Sequence, residues 1–404
     1  RIATARDTQR PCRSWLLLSV CVNLGLLGYF KYANFGVDSL NDLLVSAGSQ
    51  PLELANIILP IGISFYIFQA ISYVVDVYRG DTEPTRRFID FAAFIALFPQ
   101  LIAGPVLRYK DLADQFTYRT HTMEKFGEGA FRFMQGFIKK VFIADSIAPL
   151  ADSAFALSDP STADAWLGIL AYTAQLYFDF SGYSDMAIGL GLMIGFRFNE
   201  NFNQPYISQS ITEFWRRWHI SLSSWLRDYL YVSLGGSRRG RLLTYRNLLI
   251  TMLLGGLWHG AGWTFVVWGA LHGAGLVVER WVRERRGSGT APSAMGRGIR
   301  TVATFHLVCV GWVFFRAVDL ERAGEVLAAL AGSWTSAPSL DWGVVVILVV
   351  GATAQFLPRG LTDPWWSWLG RSPVVVQAVV VVVAIVGMDV LGPDGVAPFI
   401  YFQF

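Results

Sequence analysis

The sequence predicts an all-α polytopic membrane protein, in which spanning helices are accompanied by re-entrant and interfacial ones. Three observations predict that class. Hydrophobic residues make up 53% of the 404 residues and charged residues only 16%, where an average soluble domain carries about 25% charged. Long apolar runs recur along the chain with no soluble linker of domain size between them. Fifteen Trp and 29 Phe add the aromatic excess that suits membrane–water interfaces. The length could hold two or three soluble domains, but the recurrent runs argue for one membrane-embedded domain over 1–404. Cys12, Cys21 and Cys309 show neither metal spacing nor a disulfide framework. The chain begins with Arg1 rather than Met, and the expectation is that further membrane helices precede it.

A span needs about 20 apolar residues. The first candidates are Trp15–Phe30 and Leu54–Val75. Phe88–Phe98 is too short, and Pro99 and Pro105 then interrupt the chain in Phe98-Pro-Gln-Leu-Ile-Ala-Gly-Pro105. A broken helix at membrane depth is tolerated where it is buried in protein or lines a cavity; a loop at a helix end is the alternative. Residues 126–148 carry Arg132, Lys139 and Lys140 among Phe131, Phe133, Phe137 and Val141, the pattern of an amphipathic helix lying at the cytoplasmic surface. Trp166–Phe180 is the next candidate span. Leu248–Val278 reads as a pair of helices, followed by Val302–Phe315, Trp342–Phe356 and Val374–Leu391. The chain shows no internal repeat, against the repeat architecture of many transporters.

Loop charges give an expected topology. Residues 1–13 hold four Arg against one Asp, 235–246 four Arg and no acid, and 279–300 six Arg and two Glu. By the positive-inside rule these are cytoplasmic, whereas 31–53 and 317–341 lean acidic and read as external. The stretch 247–278 then runs out and back, with His259 near its reversal.

Two segments concentrate the chemistry. Ser210-Ile-Thr-Glu213 matches a capping box and predicts a helix from there to about Val232. Trp215, Trp218, His219, Leu222, Leu226 and Tyr229 fall on one face of it, with Arg216, Arg217, Arg227 and Asp228 elsewhere. Such a helix is too polar to face lipid and suits a re-entrant element presenting His219 inward. The second segment, Gly255-Gly-Leu-Trp-His259-Gly-Ala-Gly-Trp263, holds a lone imidazole among glycines that permit close packing or close approach of a ligand. Trp258 and Trp263 are placed to wall a narrow tunnel around it. Titratable side chains at membrane depth are rare and more often functional than decorative. A histidine that only hydrogen-bonds across the bundle is the alternative, and it weighs more for His219 than for His259.

His272 lies 13 residues beyond His259, about 220° around a continuous helix, and faces away unless the helix breaks at Gly260–Gly262. His306 reads as a hydrogen-bonding bundle residue and His121 as a loop residue. Asp179 and Asp185, in an apolar region, need partners; they are placed to orient a histidine, cap a broken helix or pair with Arg197. Their six-residue spacing does not put both on one helical face. No nucleotide-binding loop, zinc motif or Gly-x-Ser-x-Gly elbow is present, and no basic-aromatic surface predicts a nucleic-acid partner.

Taken together, Phe98–Pro105, Asp179–Gly189, Asn201-Phe-Asn-Gln-Pro-Tyr206, Trp215–Tyr231, Gly256-Leu-Trp-His-Gly260 and the terminal Phe399–Phe404 resemble the membrane-bound O-acyltransferase family. The likeness is strongest to its bacterial, alginate-acetylating branch, with the teichoic-acid D-alanylating branch as runner-up. The resemblance implies a ring-like helical bundle around a central tunnel in the plasma membrane. It implies His259 as the catalytic histidine and His219 as a second histidine lining the same site. It implies an acyl thioester cosubstrate (acetyl-CoA or an acyl carrier protein) with no bound cofactor or metal. It also implies a polysaccharide acceptor, an extracytoplasmic acetyltransferase or esterase-like partner, and surrounding membrane lipids. In that setting His259 serves as general base, His219 or an indole N–H donates to the oxyanion, and Asp179 or Asp185 fixes a ring tautomer. A non-enzymatic transporter of acylated lipid or sugar is the competing class; it predicts flux without thioester consumption.

Overall fold

The computed structural model describes residues 12–101, 104–286, 292–332 and 334, then 345–346, 348–349, 351–353, 357, 368–369, 372–391 and 399–400. Among the described residues every regular element is helical. The chain divides into two compact units, one ending at Thr120 and one beginning at His121.

In the first unit, α1 (Arg13–Leu27) continues through a π-turn (Gly28–Tyr32) into α2 (Ala33–Ser46). Together they form a 34-residue apolar helix long enough to cross a membrane. The expected span Trp15–Phe30 lies inside it. The expected span Leu54–Val75 needs correction. Residues 51–60 are not helical, and α3 starts only at Ile63 and runs to Arg79, after Pro60 and a left-handed Gly62 (φ 78°). Two amides of α2 hold the preceding segment extended. Asn41 donates to Leu52 O (3.0 Å) and accepts from Leu52 N–H (2.6 Å), while Asn34 does the same at Ile57 (3.0 and 3.2 Å). Backbone groups that would otherwise seek helical partners are thereby satisfied. The expected break is present: α4 (Phe88–Ile95) and α5 (Phe98–Leu101) are separate, with Pro99 and Gln100 buried. Next comes α6 (Tyr109–Thr117), whose Lys110 reaches the buried Asp76 of α3 at 3.0 Å.

The second unit is organised around a 32-residue helix. It opens with α7 (Met123–Phe137), a π-turn (Ile138–Ala144) and α8 (Asp145–Ala156), followed by the long α9 (Thr162–Met193). A capping box of Ser161 and Asp164 starts α9, and the expected span Trp166–Phe180 lies within it. The amphipathic helix expected over 126–148 is present as α7, its π-turn and the start of α8, and one side of it packs closely on α9. A Cβ on Gly136 would lie 2.4 Å from Gly182 O, and one on Gly129 2.6 Å from Gly189 O, so α7 lies backbone to backbone on α9. The cations of α7 and its π-turn pair with carboxylates that burial would otherwise penalise, the half-exposed Arg132 also reaching the exposed Glu200 at 2.6 Å. Arg132 and Lys139 take Asp185 (2.7 and 2.6 Å), and Lys140 takes Asp145 and Asp179 (2.5 and 2.8 Å).

The expected single helix from Ser210 to Val232 is also corrected. It is broken into α10 (Ile211–Arg217), α11 (Ile220–Trp225) and a π-turn (Leu226–Tyr231). The expected helical pair is present as α12 (Arg241–His259) and α13 (Trp263–Arg286). These two pack at glycines, since a Cβ on Gly256 would lie 2.2 Å from Phe265 O and one on Gly269 2.4 Å from Met252 O. α14 (Ala294–Arg316) contains Val302–Phe315 and is the second described helix long and apolar enough to span. α15 (Leu320–Ala329) and α16 (Val374–Leu391) complete the described helices of defined range. Most of Trp342–Phe356, and Tyr401–Phe404 of the terminal block, lie outside the described residues.

Candidate active site

The two short helices α10 and α11 meet at a left-handed residue, and that residue is His219 (φ 42°, ψ 54°). A non-glycine residue in this region costs about 1–2 kcal/mol, so neighbouring bonds must hold it. Asn201 supplies them. Its backbone carbonyl accepts from Ile220 N–H (2.9 Å), and Asn203 N–H donates to Arg217 O (2.8 Å) on the other side of the break. The Asn201 side-chain oxygen accepts from Ser221 N–H (3.2 Å) and Ser221 O–H (2.8 Å), and its amide nitrogen donates to Ser184 Oγ (3.0 Å) on α9. The same side-chain oxygen lies 3.2 Å from His219 Nδ1. The Asn201–Tyr206 block is therefore the brace that bends the 210–232 segment. The face predicted from periodicity is still buried throughout, from Trp215 to Tyr229, although the helix carrying it is not continuous.

His259 is the last residue of α12. Gly260 follows it because a Cβ there would fall 2.1 Å from the Phe265 ring. The imidazole is 4% exposed and caged by Trp258, Trp268 and Phe315, with ring centres 5.1, 5.0 and 5.2 Å away. His219 is fully buried, with Phe180 edge-on at 4.7 Å. Its ring centre is 6.3 Å from that of His259 and 6.1 Å from Trp258. The two histidines named from sequence, 40 positions apart, are thus brought together inside one buried aromatic cluster.

Other placements differ from expectation. Trp263 is 55% exposed at the start of α13; Trp268 takes the wall position assigned to it. His272 does not face away, because the helix does break between His259 and Trp263. On α13 it stands one turn after Trp268, packs against it with ring centres 4.8 Å apart, and accepts a hydrogen bond at Nδ1 from Trp215 Nε1–H (3.3 Å). A chain from Trp215 through His272 and Trp268 therefore ends on His259. Trp268 and His272, one helical turn apart just beyond a glycine-rich reversal, were the signal for it. Trp218 packs among Phe202, Phe214 and Trp312.

Neither carboxylate makes a hydrogen bond or ion pair to a histidine among the described residues. Asp179 binds Lys140 and accepts from Ile400 N–H (3.3 Å), Asp185 binds Arg132 and Lys139, and Arg197 pairs with Glu128 at 3.0 Å. They tie α9 to α7 and its π-turn, and Asp179 also anchors the chain at Phe399–Ile400, where Phe399 packs on Tyr183 at 4.1 Å. His306 is exposed, with Nδ1 2.8 Å from Val302 O of its own helix.

Two clefts open along α10. One, about 290 Å³, has an apolar floor of Trp215, Leu226, Met252 and Leu276 and a rim of Arg216, Arg227, Arg280 and Arg283. The other, about 530 Å³, is polar and is lined by Asn203, Ser210, Glu213, Arg217 and Glu279, among others. Arg216 lines both and makes no ion pair among the described residues.

Comparison with known proteins adds a lineage to this geometry. The model of the membrane-bound O-acyltransferase family matches residues 85–295, which include both histidines. A probable alginate O-acetylase of Azotobacter vinelandii is 66% identical over 337 residues, covering 83% of this chain and 66% of that protein. The probable alginate O-acetylase of Pseudomonas putida is 54% identical over 429 residues, covering all of this chain and 87% of that protein. A peptidoglycan O-acetyltransferase of Helicobacter pylori is 40% identical over 350 residues, covering 79% and 65%.

Proposed function

The chain belongs to the membrane-bound O-acyltransferase family, and from that premise we propose that it transfers an acetyl group from a cytoplasmic thioester donor toward hydroxyls of an extracytoplasmic, alginate-like polysaccharide. The observation that carries this reading is the pair of buried imidazoles, 6.3 Å apart in an aromatic cage, together with the arginine-rimmed cleft along α10. Acetyl is favoured as the acyl group because the relatives above 50% identity are named O-acetylases.

A thioester is already activated, so the protein has to deprotonate a hydroxyl and stabilise the oxyanion. His259, in its neutral form, takes the hydroxyl proton as the new O–C bond forms. When the C–S bond breaks, the proton passes to the departing thiolate. A positioned base of this kind contributes about 10²–10⁴-fold. The buried Trp268 Nε1–H, which has no hydrogen-bond partner among the described residues, is the donor we assign to the oxyanion. The cleft suits a donor such as acetyl-CoA or a carrier-borne phosphopantetheine. Its apolar floor fits the thin pantetheine stem, and its arginines, Arg216 foremost, fit phosphate. α10 and α11 have seven and six residues; at 1.5 Å per residue each is only about 10 Å long. They are read as re-entrant elements lining a tunnel in a multi-pass plasma-membrane protein, with an extracytoplasmic partner completing delivery to the polymer.

The test is His259→Ala in the full chain, with transfer from labelled acetyl-CoA and membrane abundance measured together. Loss of transfer at normal abundance is expected. Normal transfer would remove His259 from the chemistry, and flux of acylated lipid or sugar without thioester consumption would return the protein to the transporter class.

A further inference from the structure

The hydrogen bonds around Asn201 determine where the proton of His219 sits. An amide side chain can be placed either way round, so its orientation has to be argued from neighbours of known sense. Ser221 N–H is a backbone group and can only donate; it points at the Asn201 atom that also receives Ser221 O–H. That atom must be the oxygen, and the amide nitrogen accordingly faces Ser184 Oγ. His219 Nδ1 sits 3.2 Å from the same oxygen. Without a proton, Nδ1 would set its lone pair against that oxygen. Ser221 O–H does not relieve this, because it lies 2.8 Å from Asn201 and 3.5 Å from Nδ1. Nδ1 therefore carries the proton and donates it to Asn201.

In a neutral imidazole one nitrogen is a donor and the other an acceptor. With Nδ1 protonated, Nε2 holds the lone pair. It is buried and has no hydrogen-bond partner among the described residues. Phe180 of α9 and Trp258 of α12, which flank the ring, are neutral, and His259 is the titratable group whose ring faces it. Asp179, next to Phe180 in sequence, is bound to Lys140.

We propose that Asn201 is a positioning residue which sets the tautomer of His219, so that His219 meets substrate as a hydrogen-bond acceptor at Nε2 and not as an oxyanion donor. A neighbouring hydroxyl of the acceptor sugar donates to Nε2, which turns the reacting oxygen toward the thioester carbonyl. As the O–C bond forms, the proton of the reacting hydroxyl leaves to His259, and it reaches the thiolate when the C–S bond breaks. Oxyanion stabilisation then falls to an indole N–H. His272 has the opposite sense, since it accepts at Nδ1 from Trp215, so the two imidazoles are held in different tautomers by different neighbours. The inference rests on the paired histidines being the transfer site.

The experiment compares Asn201→Leu, which has no acceptor, with Asn201→Asp, which keeps an oxygen for Ser221 and His219. ¹⁵N spectra of the imidazoles of the full chain in detergent, with His219→Gln assigning the signal, read the tautomer without substrate. The wild type and Asn201→Asp are expected to hold Nδ1–H, and Asn201→Leu to lose it. Transfer from labelled acetyl-CoA to alginate oligosaccharide, measured in membranes that retain the extracytoplasmic partner, is expected to fall about 10²-fold in kcat for Asn201→Leu, the scale of a lost acid–base group, and to be largely rescued by Asn201→Asp. An Nε2–H signal in the wild type, or unchanged kcat in Asn201→Leu at normal abundance, overturns the inference. If Asn201→Leu does not accumulate, failure of Asn201→Asp to retain Nδ1–H decides against it. His259→Ala, run alongside, separates the two claims: full transfer by that variant sinks the transfer-site reading, whatever the tautomer.

Discussion

Lys140→Met tests the ionic centre that joins α9 to its neighbours. Lys140 is 2% exposed, and its ammonium lies 2.5 Å from Asp145 and 2.8 Å from Asp179, both carboxylates being almost fully buried. At 2.8 Å and an effective dielectric of about 20, each pair attracts by about 6 kcal/mol. Desolvation of three charges offsets much of that gain. Removing the cation keeps the desolvation cost of the two carboxylates and abolishes the attraction, which in buried pairs destabilises by about 3–5 kcal/mol. Methionine preserves the length of the stem, so lost packing adds little. The assay is unfolding of the full chain in detergent micelles, followed by tryptophan fluorescence. Adding Asp179→Asn to Lys140→Met should recover part of the loss, with a coupling of about 1–3 kcal/mol, because it removes a stranded charge. A Lys140→Met protein within about 1 kcal/mol of wild type would refute the reasoning, since measured losses from breaking a buried pair are several times larger. So would the absence of any recovery in the double variant.

Gly136→Ala places a methyl 2.4 Å from Gly182 O, and overpacking of this kind should destabilise by about 1–3 kcal/mol, measured in the same unfolding assay. Gly127→Ala, where nothing lies within 4 Å, is its control. Trp268→Phe keeps the ring against His259 and deletes the N–H; a loss of about 10²-fold in kcat with little change in KM is expected if that N–H serves the oxyanion, and unchanged kcat would reassign the role. Arg216→Ala should raise the KM for acetyl-CoA several-fold, leave kcat nearly unchanged and weaken the salt dependence of KM, because an unpaired arginine facing phosphate acts through screened charge.

The parts legible in the sequence were those written locally. The glycine-rich reversal between α12 and α13, the broken helix at Pro99 and the buried face from Trp215 to Tyr229 each follow from a few consecutive residues. The bend at His219 did not, because it is imposed by Asn201, 18 positions upstream, whose carbonyl and amide replace helical bonds. Periodicity identified which residues are buried but missed where the axis breaks. Trp263 was assigned to the cage from proximity in sequence, whereas Trp268 occupies it once α13 has turned back. The carboxylates were paired with the wrong cations for a similar reason. Lys139 and Lys140 read as the polar side of an amphipathic interfacial helix, and only the contact of α7 and its π-turn with α9 pairs them with Asp185 and Asp179.

The glycine contacts between α7 and α9 carry a mechanical consequence. Gly129 meets Gly189 and Gly136 meets Gly182, so each helix has two notches, seven residues apart. Two helices seated this way behave like a ratchet with widely spaced teeth. A slip of one residue would press side-chain carbons against the facing backbone, and a slip from notch to notch would need about 10.5 Å. α9 is thus a fixed rail, and it carries the bond from Ser184 to Asn201 and the ring of Phe180 that locate His219. His219 is thus seated on the rail through Asn201 and Phe180, whereas His259 belongs to the separate hairpin of α12 and α13.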